Sequence, residues 1–142
     1  MKRINFLIVA FVTTLVLFSA CKKDNDTSPE VVQGFYYGEN DTATLTKADS
    51  AYANNSFHTI IARKNNSTVV EINSNDLQVG TYAIISSQFS FTYVKNGTLW
   101  NATSGTLKIT KNDGSKLSGT FSASAAGTIY VVTGKFDDIP IQ

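Results

Sequence analysis

Leu117-Ser118-Gly119-Thr120-Phe121-Ser122-Ala123-Ser124 alternates without a break. Leu117, Gly119, Phe121 and Ala123 share one side, and Ser118, Thr120, Ser122 and Ser124 the other. A side-chain period of two is that of a strand. One apolar face and one Ser/Thr face suit an antiparallel sheet that is dry on one side and wet on the other. The pattern continues outward from this stretch. Gly105, Leu107 and Ile109 alternate with Thr106, Lys108 and Thr110, and Phe89, Phe91 and Tyr93 with Ser90 and Thr92. Ile129 to Phe136 starts apolar on both faces, as a central strand does.

Turn signals separate these runs. Asn96-Gly97 and Asp113-Gly114 are short-hairpin pairs, because type I′ turns need positive φ at both central residues. Asn65-Asn66-Ser67 and Ser74-Asn75-Asp76 mark two more reversals. Strands are expected near 33–38, 42–46, 57–63, 68–73, 81–86, 89–95, 98–103, 105–111, 117–124 and 128–136. Residues 47–56 are expected to form a helical turn or a loop. Gly-Thr followed by an apolar residue occurs at Gly80, Gly97, Gly105, Gly119 and Gly127. This reads as a turn or bulge glycine and an inward anchor reused at successive strand starts, the pattern of a meander.

The fold class follows. The chain has 142 residues, enough for one domain, and Asn, Ser and Thr number 12, 14 and 17. Such a composition disfavours helical bundles, and 16 aromatic residues with a net charge of +1 argue against disorder. Ten short strands cannot bury their apolar faces as one flat sheet. They must close into an antiparallel β-barrel or stack as an antiparallel β-sandwich. Phe89, Phe91, Leu107, Ile109, Leu117, Phe121, Val132 and Phe136 are large enough to fill the ~10 Å gap between stacked sheets. A meander-rich, all-β sandwich is therefore the expectation, with the barrel as the alternative.

The first twenty residues read as an address. Lys2 and Arg3 precede an apolar run from Phe6 to Phe18, and Ser19, Ala20 and Cys21 follow. A basic head, a short apolar middle and small residues at the cut describe a secretory signal peptide, whose signal helix is removed on maturation. Leu17-Phe18-Ser19-Ala20-Cys21 resembles the lipobox of bacterial lipoproteins, with Phe18 where that family usually has Leu. The resemblance implies cleavage before Cys21 and lipid attachment to its thiol. The domain plan is then a lipoprotein signal peptide at 1–20, a flexible tether at 21–30 and a single β domain at 31–142. The tether Lys22-Lys23-Asp24-Asn25-Asp26 resembles those of Bacteroidota lipoproteins displayed outside the outer membrane. Asp24 and Asp26 lack the glycine and terminal Glu that a calcium loop requires.

Further along, Ser104-Gly105-Thr106-Leu107-Lys108-Ile109-Thr110, then Leu117-Ser118-Gly119-Thr120-Phe121-Ser122-Ala123, then Thr133-Gly134-Lys135-Phe136 and Ile139-Pro140-Ile141 look like a family of small Bacteroidota outer-membrane lipoproteins. The similarity covers residues 77–142. It implies a fold and a location, and it carries over no functional site.

Chemistry is sparse. With one Cys and one His, no intrachain disulfide forms and little remains for a zinc site. His58 has no Gly-x-Ser-x-Gly elbow for company and reads as a strand residue. Asp137-Asp138 would point to opposite faces of a regular strand, so the pair reads as a solvated turn rather than as acid and base for glycoside chemistry. No phosphate-cradling loop is present, no cofactor or metal is expected, and the charge balance does not suit a nucleic-acid partner. Aromatics are the best binding candidates. Among Phe35, Tyr36, Tyr37, Tyr52, Tyr93, Trp100 and Tyr130, the ligand-contact candidates are Tyr36, Tyr37, Tyr52 and Trp100, with Trp100 read as core. Asp41-Thr42-Ala43 and Asp49-Ser50-Ala51 resemble the Bacteroidota acceptor for O-glycosylation, at Thr42 and Ser50. The expected function is that of a non-catalytic surface or structural lipoprotein, held in the membrane through Cys21 and binding a glycan or an envelope protein. The alternative is a hydrolase or hydrolase inhibitor acting through loops, and Asp49, His58 and a serine converging would favour it.

Overall fold

A computed structural model describes residues 33–40, 44–126 and 131–142. The expected signal peptide, Cys21, the tether, Thr42, Tyr130 and the Gly127 repeat lie outside the described residues. Val31–Gln142 forms one compact unit.

Eleven strands run through the described residues: β1 Gly34–Glu39, β2 Thr46–Lys47, β3 Ser50–Asn54, β4 Thr59–Lys64, β5 Ser67–Ser74, β6 Gly80–Ala83, β7 Phe89–Lys95, β8 Thr98–Asn101, β9 Ser104–Asn112, β10 Lys116–Ser124 and β11 Val131–Pro140. They make two antiparallel sheets. One has six strands in the order β2-β1-β11-β10-β9-β6, and the other five in the order β3-β4-β5-β7-β8. The expected β-sandwich is the fold, and the sheets do not close into a barrel. All eight residues assigned to its interior are buried.

Several local expectations are corrected. Of the run near 42–46, the described residues from 44 hold only the start of the two-residue β2, and 47–56 contains the strand β3 in place of a helical turn. Ala51, Ala53 and Asn54 have no strand preference of their own. Pairing with β4 and burial of Ala53 override local propensity. Ala53 also takes an isolated parallel bridge to Ile141. The strand at 81–86 ends at Ala83, where Ile84–Ser86 turns as a 3₁₀ helix. His58 is a turn residue at φ 51°, its carbonyl accepting from the Ser74 N–H at 3.0 Å. Gly119 lies in mid-strand rather than at a strand start. The meander is incomplete too. β11 returns to pair with β1, and β6 leaves its neighbours β5 and β7 to pair with β9 in the opposite sheet. Of the turns, Asn65-Asn66 and Asn96-Gly97 carry positive φ at both central residues, whereas at Asp113-Gly114 only the glycine does.

The core is organised around two glycines. Gly119 on β10 pairs with Phe136 on β11, and Gly134 on β11 pairs with Phe121 on β10. A Cβ on Gly119 would stand 2.6 Å from the Phe136 ring, and one on Gly134 would stand 2.5 Å from the Phe121 ring. Each ring thus occupies the space left by the partner strand's missing side chain. Phe35 stacks on both rings, at centroid distances of 5.3 Å to Phe121 and 6.0 Å to Phe136. Phe91 of the facing sheet reaches Phe121 at 5.3 Å and meets Trp100 edge-on at 6.1 Å.

This packing sets two stability expectations. Phe121→Ala should cost ~3–5 kcal/mol, out of a typical total of ~5–15. Gly134→Ala should destabilise by ~1–3 kcal/mol through overpacking, although alanine ordinarily suits a strand better than glycine. The alanine penalty should shrink in part in the Phe121→Ala background, because the ring is gone while the closer clash with the Tyr36 carbonyl remains. A double-mutant cycle by chemical denaturation measures the coupling, and strictly additive effects would refute the reciprocal packing.

Candidate functional site

The pairing that fills the core also orders the outer face of the six-stranded sheet. Residues next to the inward ones point outward, and the register aligns them across the strands. Lys47 pairs with Tyr36, Tyr36 with Lys135, Lys135 with Thr120, Thr120 with Lys108, and Lys108 with Thr81. One transverse row, Lys47–Tyr36–Lys135–Thr120–Lys108–Thr81, therefore crosses all six strands. All but the half-buried Tyr36 are exposed. The Tyr36 ring lies between two ammonium groups, with Lys47 Nζ 5.6 Å and Lys135 Nζ 5.4 Å from its centroid. Its hydroxyl is buried and has no hydrogen-bond partner among the described residues. Lys135 pairs with Asp137 at 3.2 Å, while Lys47 and Lys108 have no carboxylate partner among the described residues. Alongside runs a second row in which Thr133, Ser122 and Thr106 are cross-strand neighbours.

On the other side of the lysine row the strands bulge. Between Leu117 and Gly119 of β10, the partner on β11 jumps from Ile139 to Phe136. The extra residue brings Asp138 to φ 50° and turns it to the same face as Asp137. The expected turn with opposed carboxylates is thus corrected, since the regular-strand argument fails at a bulge. Ser118 Oγ accepts the Asp138 N–H at 2.9 Å. Lys111 donates to Asp138 Oδ1 at 2.8 Å, and Lys116 lies 3.5 Å from Oδ2. The Lys111 hydrogen bond holds the Asp138 carboxyl below its ordinary value. A general acid needs the opposite shift.

A second polar group sits at one end of the sandwich. Tyr93 Oη donates to Glu39 Oε1 at 2.6 Å, and Lys95 Nζ donates to Oε2 at 2.6 Å. Tyr37 packs on Tyr93 with centroids 5.9 Å apart. Tyr37, Glu39 and Tyr93 border a recess of about 230 Å³, with Gly38, Thr44 and Thr46 completing its wall. Burial works to raise the Glu39 carboxyl, but the hydrogen bonds from Lys95 and Tyr93 outweigh it and hold the group below its ordinary 4.5. Burial is the main cause pushing the Tyr93 phenol up, and the bond to Glu39 adds to it. The arrangement is a satisfied polar knot, with both carboxylate oxygens engaged.

The aromatic candidates are not brought together. Tyr36 lies in the lysine row, whereas Tyr37 is in the core. Tyr52 is on the outer face of the five-stranded sheet beneath Arg63, 5.7 Å from its centroid. Trp100 packs half-buried against the core. Ser50 is exposed at the start of β3. Asp49 and His58 flank opposite ends of the β3–β4 hairpin, where Ser50 pairs with Arg63 and Asn54 with Thr59. Asp49 is held by Lys64 at 2.7 Å and by the Asn65 N–H at 2.8 Å. No group of three or more His, Cys, Asp or Glu that could hold a metal occurs among the described residues. Reading the sequence missed Lys47, Lys108 and Lys135. Their only signal is that Lys108 lies between Leu107 and Ile109, and Lys135 between Gly134 and Phe136, at outward positions. No family model, curated protein or solved structure matches the chain.

The Glu39–Tyr93 bond predicts both limbs of the pH–stability curve. Because the folded Glu39 value is depressed, its contribution is present above 4.5 and is lost as pH falls below that through the folded value. Because the folded Tyr93 value is raised, its contribution is present below 10.0 and is lost as pH rises beyond it. Glu39→Gln should flatten part of the acid limb, with Asp49, Asp113 and Asp138 supplying the rest. Tyr93→Phe should flatten part of the alkaline limb, with Tyr37, Tyr82 and Lys111 supplying the rest. Denaturant midpoints measured against pH test this, and curves parallel to wild type would contradict it.

Proposed function

We propose that this chain is a non-catalytic, lipid-anchored protein of the cell envelope, whose β-sandwich binds a ligand on the outer face of its six-stranded sheet. The stretch Leu17-Phe18-Ser19-Ala20-Cys21, followed by a polar tether and a single domain, carries the anchoring half of this reading. Removal of residues 1–20 would leave Cys21 as the first residue. Each buried CH₂ of an attached lipid contributes ~0.8 kcal/mol of membrane affinity, and several chains on one residue anchor a domain without a spanning helix. The tether favours display from the outer membrane.

The binding half is supported by how the ionisable groups are spent. Asp49, Glu39, Asp113, Asp137 and Asp138 are each tied to a lysine. The carboxyls of Glu39, Asp49, Asp113 and Asp138 are held below their ordinary values, the reverse of what a general acid needs. The lysine row is the one polar feature that extends across a whole sheet while two of its cations lack a carboxylate partner among the described residues.

Replacing the proposed lipid acceptor tests the anchor. Wild-type protein expressed in a Gram-negative host should sediment with membranes and incorporate labelled palmitate. Cys21→Ser should take up no label and accumulate as unlipidated precursor. A variant that is cleaved normally and still sediments with the membrane would overturn the reading.

A further inference from the structure

We propose that the row Lys47–Tyr36–Lys135–Thr120–Lys108–Thr81 is a binding track for an acidic polysaccharide laid across the strands, with acid groups on alternate sugars. The proposal deepens the binding reading above and rests on it. Lysines occupy alternate strands of the row: β2, β11 and β9. Neighbouring strands are ~4.8 Å apart, so successive ammonium groups root ~10 Å apart along a line of ~20 Å. An anionic partner that satisfies all three must carry its charges at a comparable, regular interval. An extended polysaccharide whose uronic acid alternates with a neutral sugar does so.

The positions between the lysines suit the neutral sugars. Thr120 presents a hydroxyl between Lys135 and Lys108. Tyr36 sits between Lys47 and Lys135, its own hydroxyl buried and without a partner among the described residues. Thr133, Ser122 and Thr106 run parallel to the track, supplying further donors and acceptors for sugar hydroxyls.

The same face argues against a flat anionic membrane as the partner. Asp137 and Asp138 are already paired with Lys135, Lys111 and Lys116, so the ground beside the row offers a planar negative surface no uncompensated cation. Sheet twist of roughly 20–25° per strand also turns each outward side chain relative to the last. A flexible chain can follow such a winding row, whereas a plane cannot touch all of it.

The experiment uses the domain Val31–Gln142, which holds every strand and the core in one compact unit. A hyaluronan decasaccharide serves as the probe with acid on alternate sugars. Chitohexaose is the neutral counterpart, and phosphatidylcholine vesicles containing phosphatidylglycerol present an anionic plane. Titration calorimetry should show binding of the decasaccharide that weakens about tenfold or more as salt is raised, since the contacts are exposed charges. Lys108→Gln or Lys135→Gln should each weaken it several-fold, and the triple variant with Lys47→Gln about a hundredfold, a tenfold loss being 1.4 kcal/mol. Arg63→Gln, on the opposite sheet, should leave affinity unchanged, and melting temperatures should stay near wild type. Equal binding of chitohexaose, binding of vesicles in place of the decasaccharide, an unaffected triple variant, or no binding of the decasaccharide would each overturn the proposal. Anchoring through Cys21 is read separately by fractionation, so failure of the track and failure of the lipoprotein reading remain distinct.

Discussion

Two phenylalanines lie over two glycines, each across the β10–β11 seam, and most of this fold depends on that exchange. Gly119-Thr120-Phe121 and Gly134-Lys135-Phe136 are the same three-residue pattern run in opposite directions. Paired antiparallel, each glycine opens the space that the other strand's ring fills. A shift of one residue would turn the shifted strand's ring to the wet side, and a shift of two would set a ring against a side chain instead of a gap. Register is therefore specified by shape as well as by hydrophobicity. Phe35 extends the stack within the sheet and Phe91 carries it to the facing sheet, so the same rings hold the two layers together.

The surface inherits this register. With Gly119 opposite Phe136 and Phe121 opposite Gly134, Thr120 has to face Lys135. The remaining pairings extend that couple into a row. Core and proposed binding track are thus two sides of one alignment, and a change that loosened the aromatic lock would also misplace the lysines. The bulge beside it adds a boundary. Past Ser118 the alignment changes, and the carboxylates of Asp137 and Asp138 gather with Lys111 and Lys116 into a neutralised patch next to the less compensated row.

Periodicity reveals which face a residue takes but not which residue on another strand stands beside it. That is why the strand from Leu117 to Ser124, the inward large residues and the sandwich were legible in the sequence, while the lysine row was not. Lys47, Lys135 and Lys108 are 88 and 27 residues apart in the chain and meet only through the return of β11 to β1. The alanines of β3 hid a strand because their preference is local and their burial is not. Asp137 and Asp138 were misread because alternation assumes a regular ladder, and one inserted residue cancels it. The tyrosines looked equivalent as amphipathic rings. Their separation into core, outer face and opposite sheet follows from strand parity for Tyr36 and Tyr37, and from sheet membership for Tyr52.

The connections explain why the search for function falls on a sheet face. Asn65-Asn66 and Asn96-Gly97 are two-residue turns, and residues 113–115 complete a third hairpin. Such links have no length from which to build a lid, the recess bounded by Tyr37 and Tyr93 is open and already hydrogen-bonded, and a larger one of about 410 Å³ beside Asn73, Ile84 and Phe89 is open to solvent as well. What remains is a broad, twisted surface with charges at regular intervals. Recognition on such a surface comes from spacing rather than from enclosure, and each exposed lysine contributes little alone. A ligand with many repeats, met by many copies tethered to one membrane, changes that arithmetic. Once one copy binds, its neighbours face the same chain at high effective concentration, and avidity can exceed single-site affinity by ~10²–10⁴. On the proposed reading the lipid anchor is therefore part of the binding device as well as an address, because it turns a weak track into a collective one.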